Sequence, residues 1–129
     1  MHCSACNGSA VSFDVPEELR AYAPDETDTA AFCTRCLRVE PSETGGSPDF
    51  TLISDEFPAD ADSAIPLALA IGQLGSLALN RRRIEALIER VEKNGTDALL
   101  VLDRLNAQGN TAPHFDVPRR RAQLEQLRE

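Results

Sequence analysis

The four cysteines of this chain stand in two pairs whose spacing is typical of metal ligands. Two residues separate Cys3 from Cys6 and also Cys33 from Cys36, and 26 residues lie between the pairs. Two thiolates at this spacing point at one ion when the chain between them folds into a tight knuckle, and two facing knuckles supply four sulfur ligands at about 2.3 Å. The spacing therefore predicts one structural Zn2+ bound by all four cysteines.

Disulfides and redox chemistry are the alternative uses of paired cysteines. Disulfides persist in oxidising compartments, and we expect no secretory signal here, because His2 leads directly into Cys3. A redox dithiol would need only a single Cys-x-x-Cys pair. Because four sulfur ligands leave no coordination position for water, a metal-dependent or redox enzyme is the least favoured hypothesis.

The acidity of the chain argues against a nucleic-acid-binding protein. Its 129 residues include 21 acidic and 13 basic side chains, for a formal net charge of −8. Phosphates repel such a chain, and no basic stripe offsets that repulsion. An acidic surface with a single lysine is also typical of proteins that stay soluble in concentrated salt, where screening weakens the net charge as evidence about partners, and we favour this interpretation of the acidity. The longest apolar stretch, residues 65–79, is interrupted by glycines and is too short to cross a bilayer, so we expect a cytoplasmic protein without membrane contact.

Residues 1–40 are predicted to form a small zinc ribbon of short antiparallel strands. Apolar and polar residues alternate over 9–16, which favours a strand, and two shorter apolar segments flank the second cysteine pair. The first knuckle ends in the turn dipeptide Asn7-Gly8, whereas the second is followed by Leu37 and contains no glycine. The exit of the second knuckle is therefore less clearly specified than that of the first.

Residues 41–62 are predicted to be a linker followed by a tether. Proline, serine and glycine are frequent in 41–48, a composition typical of a linker. Four spaced apolar residues then follow among acids: Phe50, Leu52, Ile53 and Phe57. Spaced apolar residues in an irregular acidic segment indicate a tether that is pinned onto a neighbouring core.

Residues 63–129 are predicted to be an all-α region of about three helices, which makes the fold class α+β. Apolar residues at a spacing of three and four predict a long first helix that ends at Asn94-Gly95. Two shorter helices follow over 97–107 and 117–128. The first half of the long helix is apolar nearly all round and must be covered on more than one side, so a homodimer through the helical region is a further prediction.

Two arginine triplets are the candidate contacts for an anionic partner. They are Arg81, Arg82 and Arg83 in the long helix, and Arg119, Arg120 and Arg121 in the last one. If the triplets converge, six guanidinium groups face one anionic surface, which is either the phosphates of a nucleic acid or the carboxylates of a protein. In the simpler alternative they belong to solvated helix faces and pair with acids such as Glu85 and Glu89.

Seven segments carry a resemblance to a known group of proteins. They are Cys3-Ser-Ala-Cys6, Asp14-Val-Pro16, Cys33-Thr-Arg-Cys36, Pro66-Leu-Ala-Leu-Ala-Ile71, Ile84-Glu-Ala-Leu-Ile-Glu-Arg90, Leu99-Leu-Val-Leu-Asp-Arg104 and His114-Phe-Asp116. On these segments the chain resembles the small zinc-finger proteins of halophilic archaea that are described by a C-P-x-C-G knuckle. More closely, it resembles an uncharacterised family there with an N-terminal zinc ribbon and a helical tail. The resemblance implies zinc and a cytoplasmic setting but no reaction, and Ser4 and Asn7 stand where the knuckle has proline and glycine.

Together these observations favour a non-enzymatic zinc-binding protein whose ribbon serves as a protein–protein interaction or regulatory adaptor module. The alternative is a nucleic-acid-associated zinc-ribbon transcription regulator, which the acidity of the chain disfavours. The partner is expected to be another protein, and its identity is left open by the residues.

Overall fold

The structure is a computed structural model that describes residues 3–43, 45, 48–108 and 111–127, so His2 lies outside the described residues. A small antiparallel sheet precedes a helical region, as the predicted α+β class requires. The sheet contains strands β1 (Ala10–Asp14), β2 (Thr29–Cys33) and β3 (Val39–Pro41). The helices of the described part of the chain are α1 (Ala61–Gly72), α2 (Leu77–Lys93), α3 (Ala98–Ala107) and α4 (Val117–Leu127).

The sheet brings the two cysteine pairs together. Strand β2 lies in the centre and pairs antiparallel with β1 on one side and β3 on the other. Val11 of β1 stands opposite Phe32 of β2, and Phe13 stands opposite Ala30. All four of these side chains are buried, so the alternation that predicts the first strand is confirmed.

The long helical segment predicted up to Asn94-Gly95 is present and carries a bend. Its two parts, Ala61–Gly72 and Leu74–Lys93, meet at an angle of 45°. Gly72 ends the first part and Gly75 lies in the short 3-10 turn that follows. Glycine weakens a helix because its backbone loses the most conformational freedom on folding, which explains why the bend falls here.

A hydrogen bond to the carbonyl that a proline inside α1 leaves free links the two parts of the bent segment. Pro66 lacks the N–H that would bond the carbonyl of Asp62 four residues earlier. The side-chain Nδ2 of Asn94, just beyond the end of α2, donates to that carbonyl over 2.9 Å. The helix therefore keeps a proline in its interior without leaving this backbone oxygen unpaired.

One hydrophobic core joins the sheet, the tether and the helices. Four phenylalanine rings contact one another in a row through this core. The centroid distances are 5.6 Å from Phe13 to Phe50, 5.9 Å from Phe50 to Phe57, and 5.9 Å from Phe57 to Phe32. The predicted tether is therefore pinned onto the core, although its Leu52 is 69% exposed. The boundaries at residues 40 and 62 stay predictions, since the packing is continuous across both of them.

Helix α1 is covered by the chain itself. All of its residues from Ser63 to Ile71 are buried. The homodimer prediction therefore draws no support from this helix and remains untested. No single helix of the described residues is long and apolar enough to span a membrane, and only the bent pair Ala61–Gly72 with Leu74–Lys93 reaches the required length and composition together.

Replacing Gly72 by alanine is expected to destabilise the fold. A Cβ atom at this position would lie 2.6 Å from Cγ2 and 3.3 Å from the backbone nitrogen of Val39, because the end of α1 presses directly against β3. Overpacking of this kind costs about 1–3 kcal/mol, although glycine-to-alanine changes in helices are otherwise stabilising. The free energy of unfolding in urea measures the effect.

The Val39→Ala variant provides the control for this prediction, because it removes the nearest methyl group. In the double variant, part of the lost stability should return. Equal stability of Gly72→Ala and the native protein would contradict the close approach of α1 and β3.

Candidate metal centre

The two Cys-x-x-Cys segments fold into knuckles of the same form. In the first knuckle, the N–H of Asn7 donates to the carbonyl of Cys3 over 2.9 Å. In the second, the N–H of Leu37 donates to the carbonyl of Cys33 over 3.1 Å. The amide of the first cysteine in each knuckle also donates to the carbonyl five residues further on, at 2.7 Å and 2.9 Å. Each knuckle is thus closed by backbone bonds on both sides of its cysteines.

The residue after each knuckle adopts a left-handed backbone. Asn7 has φ 61° and Leu37 has φ 64°. Asparagine tolerates this conformation, whereas a leucine pays about 1–2 kcal/mol for it. The Leu37 side chain is fully buried in the core, a gain of about 1.5–3 kcal/mol that offsets the strain. Tertiary packing therefore specifies the exit that lacks a glycine.

The four sulfur atoms form one compact cluster. The Sγ atoms of Cys3 and Cys36 are 3.6 Å apart, those of Cys6 and Cys33 are 3.5 Å apart, and all four lie within 4.8 Å of one another. A tetrahedral metal with sulfur bonds of about 2.3 Å separates its ligands by about 3.8 Å, whereas a disulfide needs about 2.05 Å. All four residues are free thiols. They fit a metal site and not a pair of disulfides.

The surroundings of the cluster control the charge of the thiols. Burial raises the pKa of Cys3, and it raises the pKa of Cys36 to about 12. A backbone hydrogen bond from Gly8 lowers the pKa of the half-buried Cys6 to about 7. Burial disfavours a thiolate unless a positive charge is near, so a bound cation would stabilise the deprotonated form of these buried sulfurs.

Backbone amides also point at the sulfur atoms. The N–H of Ala5 lies 3.4 Å from Sγ of Cys3, and the N–H groups of Arg35 and Cys36 lie 3.4 Å and 3.3 Å from Sγ of Cys33. Hydrogen bonds to the charged form of a group favour that form. Both knuckles are therefore arranged to receive thiolates, which are the form that binds a metal.

A clamp from β3 holds the first knuckle. The N–H of Ser4 donates to Oε1 of Glu40 over 3.0 Å, and its Oγ donates to Oε2 over 2.5 Å. These two bonds lower the pKa of the Glu40 carboxyl. Proline at position 4 would lack the N–H, so serine gives this knuckle an attachment that the C-P-x-C-G pattern does not offer.

A second clamp reaches the other knuckle from residues 112–114, just before α4. The N–H of Ala112 donates to the carbonyl of Arg35 over 2.7 Å, and the N–H of His114 donates to the carbonyl of Cys36 over 2.9 Å. Nδ1 of His114 lies 2.8 Å from the same carbonyl and carries the proton, since a carbonyl oxygen only accepts. Burial lowers the pKa of this histidine.

A protein-family model matches residues 2–128, which is nearly the full chain. That model describes DUF6276, a family of unknown function. The chain belongs to this family. No curated protein and no solved structure matches the sequence. Membership in an uncharacterised family is thereby confirmed, whereas the C-P-x-C-G relation and the archaeal origin stay predictions.

The arginine triplets of this DUF6276 chain converge only in part. Arg81 and Arg120 line one cleft of about 230 Å3 between α2 and α4. Arg121 instead pairs with Asp103 of α3 at 3.1 Å and with Glu125 at 2.5 Å. Arg120 therefore faces α2, whereas Arg121 connects α4 with α3 through its ion pair with Asp103.

The remaining triplet arginines lie on the surface. Arg82, Arg83 and Arg119 are exposed, and they form no ion pair with the described residues. Arg81 pairs with Glu85 at 3.3 Å, as the alternative of a solvated helix face predicts. The six guanidinium groups thus do not form a single patch, but the start of α2 and one arginine of α4 share a surface.

Sequence reasoning missed the two clamps in the DUF6276 chain. No motif in the sequence assigns a role to His114 or to Glu40. Both contacts join residues that are far apart in the sequence, and local patterns do not report such pairs. The segment His114-Phe-Asp116 did stand out in the resemblance, which is the signal that pointed to this region.

Removing the carboxylate of the first clamp is expected to loosen the metal. The Glu40→Gln variant replaces the charged acceptor of Ser4, and the lost charge-assisted hydrogen bond costs about 1 kcal/mol of stability at this partly exposed position. We expect faster extraction of the metal by a chromophoric chelator. The exposed neighbour Glu43 supplies the matched control, Glu43→Gln, whose extraction rate should equal that of the native protein. Equal rates for both variants would rule out a role for Glu40 in holding the knuckle.

Proposed function

We propose that this chain binds one structural Zn2+ and acts as a non-enzymatic protein–protein interaction or regulatory adaptor. The observation that carries the proposal is the closed cluster of four cysteine sulfurs within 4.8 Å. Four sulfur ligands in a tetrahedron are typical of zinc or iron, and zinc is the usual ion of structural sites with two such knuckles. Bound zinc would cross-link the two ends of the ribbon, a contribution of about 10–16 kcal/mol in small zinc modules.

The donor set is the reason for proposing no catalysis at the metal. An enzyme site needs a coordination position that is free for water or substrate, and four protein ligands fill a tetrahedral ion. Three of the four cysteines are also buried, so solvent reaches the site mainly beside Cys6. A metal that is enclosed in this way serves shape and stability.

The cell compartment follows from the same chemistry. Zinc thiolates persist where thiols stay reduced, so we propose a cytoplasmic protein. Lys93 is the single lysine among the 13 basic residues. An acidic surface with so little lysine fits the concentrated salt of halophilic archaea, the origin that the resemblance implies.

Elemental analysis of protein made under reducing conditions tests the metal. We expect one zinc per chain and no iron, and we expect the zinc to be lost with any of the four cysteines. Protein without metal would overturn the proposal.

A pull-down at working salt, with and without nuclease, tests the adaptor role. A specific protein partner that survives nuclease treatment supports an adaptor. A partner that is lost with nuclease would favour the nucleic-acid-associated regulator instead.

A further inference from the structure

The start of α2 carries an exposed leucine among arginines. Leu79 is 87% exposed, more than any other large apolar side chain of the described residues. It shares a shallow surface with Arg81, Arg82 and Arg83, and Arg120 of α4 lies across the adjoining cleft from Arg81. We call the surface formed by Leu79, the three arginines of α2 and Arg120 the arginine corner.

The positive charges of the arginine corner are mostly uncompensated. Glu85 neutralises Arg81, but Arg82 and Arg83 have no acidic partner among the described residues. The chain has 21 acidic residues, so these arginines lack acidic partners because of where the described acids lie and not because acids are few. A carboxylate that arrives from outside would therefore meet arginines that no internal acid occupies.

Arg120 gives the strongest indication of an anionic ligand. It is half-buried, and within the described part of the chain its guanidinium donates only to neutral groups, the side chain of Gln123 at 2.8 Å and the carbonyl of Gly75 at 3.3 Å. Its Nε is buried and has no hydrogen-bond partner among the described residues. Because a charge withdrawn from water is stable only when it is paired, this arginine gains from a carboxylate placed in its cleft.

The cleft beside Arg120 also offers apolar contact. Leu77, Ala78 and Leu127 line it together with the two arginines, in a volume of about 230 Å3. Exposed Leu79 follows directly after Ala78 on the same turn of α2. Apolar surface and guanidinium groups thus lie side by side, the combination that dominates the binding energy of protein interfaces.

We propose that the arginine corner docks an acidic segment of a partner protein, which places an apolar side chain against Leu79 and carboxylates against Arg82 and Arg120. The inference rests on the proposed adaptor function and names the chemistry of its partner. A protein fits better than a nucleic acid for two reasons. A phosphate backbone makes no use of a protruding leucine, and the net charge of −8 repels a long polyanion more strongly than a short acidic segment.

Selection from a random peptide library against the full-length, zinc-loaded protein tests the proposal. We expect the selected peptides to carry Asp or Glu around one apolar residue, and their binding to weaken as salt is raised. By fluorescence anisotropy, Leu79→Ser and Arg82→Gln should each weaken binding about tenfold, the effect of a residue at the centre of an interface. Both residues are exposed, so both variants should fold.

Matched controls come from other surfaces of the same chain. Leu52→Ser changes a leucine that is 69% exposed, and Arg104→Gln changes an exposed arginine of α3. Neither should alter binding by more than about twofold, since surface changes away from an interface are nearly neutral.

Several outcomes would overturn the arginine corner as the docking site. Among them are an empty selection, selected peptides without acids, binding that Leu79→Ser leaves unchanged, and a 20-nucleotide RNA or DNA duplex that binds more tightly than the peptides. A dimer in sedimentation that Leu79→Ser dissolves would assign the surface to a second copy and also overturn it. Peptides that bind elsewhere would remove this site but leave the adaptor role standing, and the nuclease pull-down judges that role independently.

Discussion

Replacing Cys33 by serine is expected to abolish metal binding and to unfold the ribbon. Cys33 ends β2, is buried, and contacts sulfur of the opposite knuckle at 3.5 Å. The variant keeps only three thiols, which do not complete the tetrahedral coordination of a divalent ion. Since zinc contributes on the order of 10 kcal/mol to small modules of this kind, we expect no bound metal and a large drop in melting temperature.

Chelation of the native protein should give the same result reversibly. Removal of the proposed zinc by a strong chelator is expected to unfold the ribbon, and added zinc should restore it. The control is Thr34→Ser, which keeps the hydroxyl that donates to the carbonyl of Ser9 at 2.9 Å and should retain one metal. A Cys33→Ser protein that holds a full equivalent of metal and melts like the native chain would refute the four-cysteine site.

The Phe57→Ala variant is expected to lose about 3–5 kcal/mol of stability, the usual cost of removing a buried phenylalanine. Phe57 is buried in the tether, where its ring contacts Phe50 and also Phe32, which directly precedes the candidate metal ligand Cys33. The lost packing therefore affects the ribbon and the helices together. Denaturation in urea, followed by helical circular dichroism and by metal release to a chelator, measures both regions.

The exposed leucine of the same tether supplies the control for Phe57. We expect Leu52→Ala to change stability by no more than about 0.5 kcal/mol. The two probes should give coincident transitions in Phe57→Ala, because one core supports both regions. If the helices kept the native midpoint while the metal was released early, the shared core would be wrong.

Features with a local signature were predictable from the sequence. Alternation identified β1, with Val11 and Phe13 buried as expected, because a strand repeats every two residues. The last helix, which apolar spacing predicts over 117–128, is observed as Val117–Leu127, and the N–H of Arg119 donates to the Asp116 carboxylate at 3.1 Å. The cysteine spacing predicted the cluster of four sulfur atoms. In each case the physical cause acts within a few residues.

Features that depend on distant contacts were not predictable. Glycine at position 72 is expected to weaken a helix locally. The sequence does not show that Val39 packs against this glycine and leaves no room for a larger side chain. An apolar residue such as Leu37 favours a strand by its type. It nevertheless adopts a left-handed backbone conformation, and burial of its side chain stabilises that conformation. The contacts of Glu40 with Ser4 span 36 residues. No periodicity or motif connects positions so far apart.

The backbone bonds from residues 112–114 to the second knuckle also bear on how the protein is made. A ribosome delivers both cysteine pairs long before it delivers this segment, because synthesis runs from the amino end. A nascent chain can therefore bind a metal ion early, while the carbonyls of Arg35 and Cys36 lack these partners until residues 112–114 have been synthesised. Closure of the candidate metal centre is in this way coupled to synthesis of residues 112–114, and chains that stop before this segment would carry a centre that proteolysis reaches more easily.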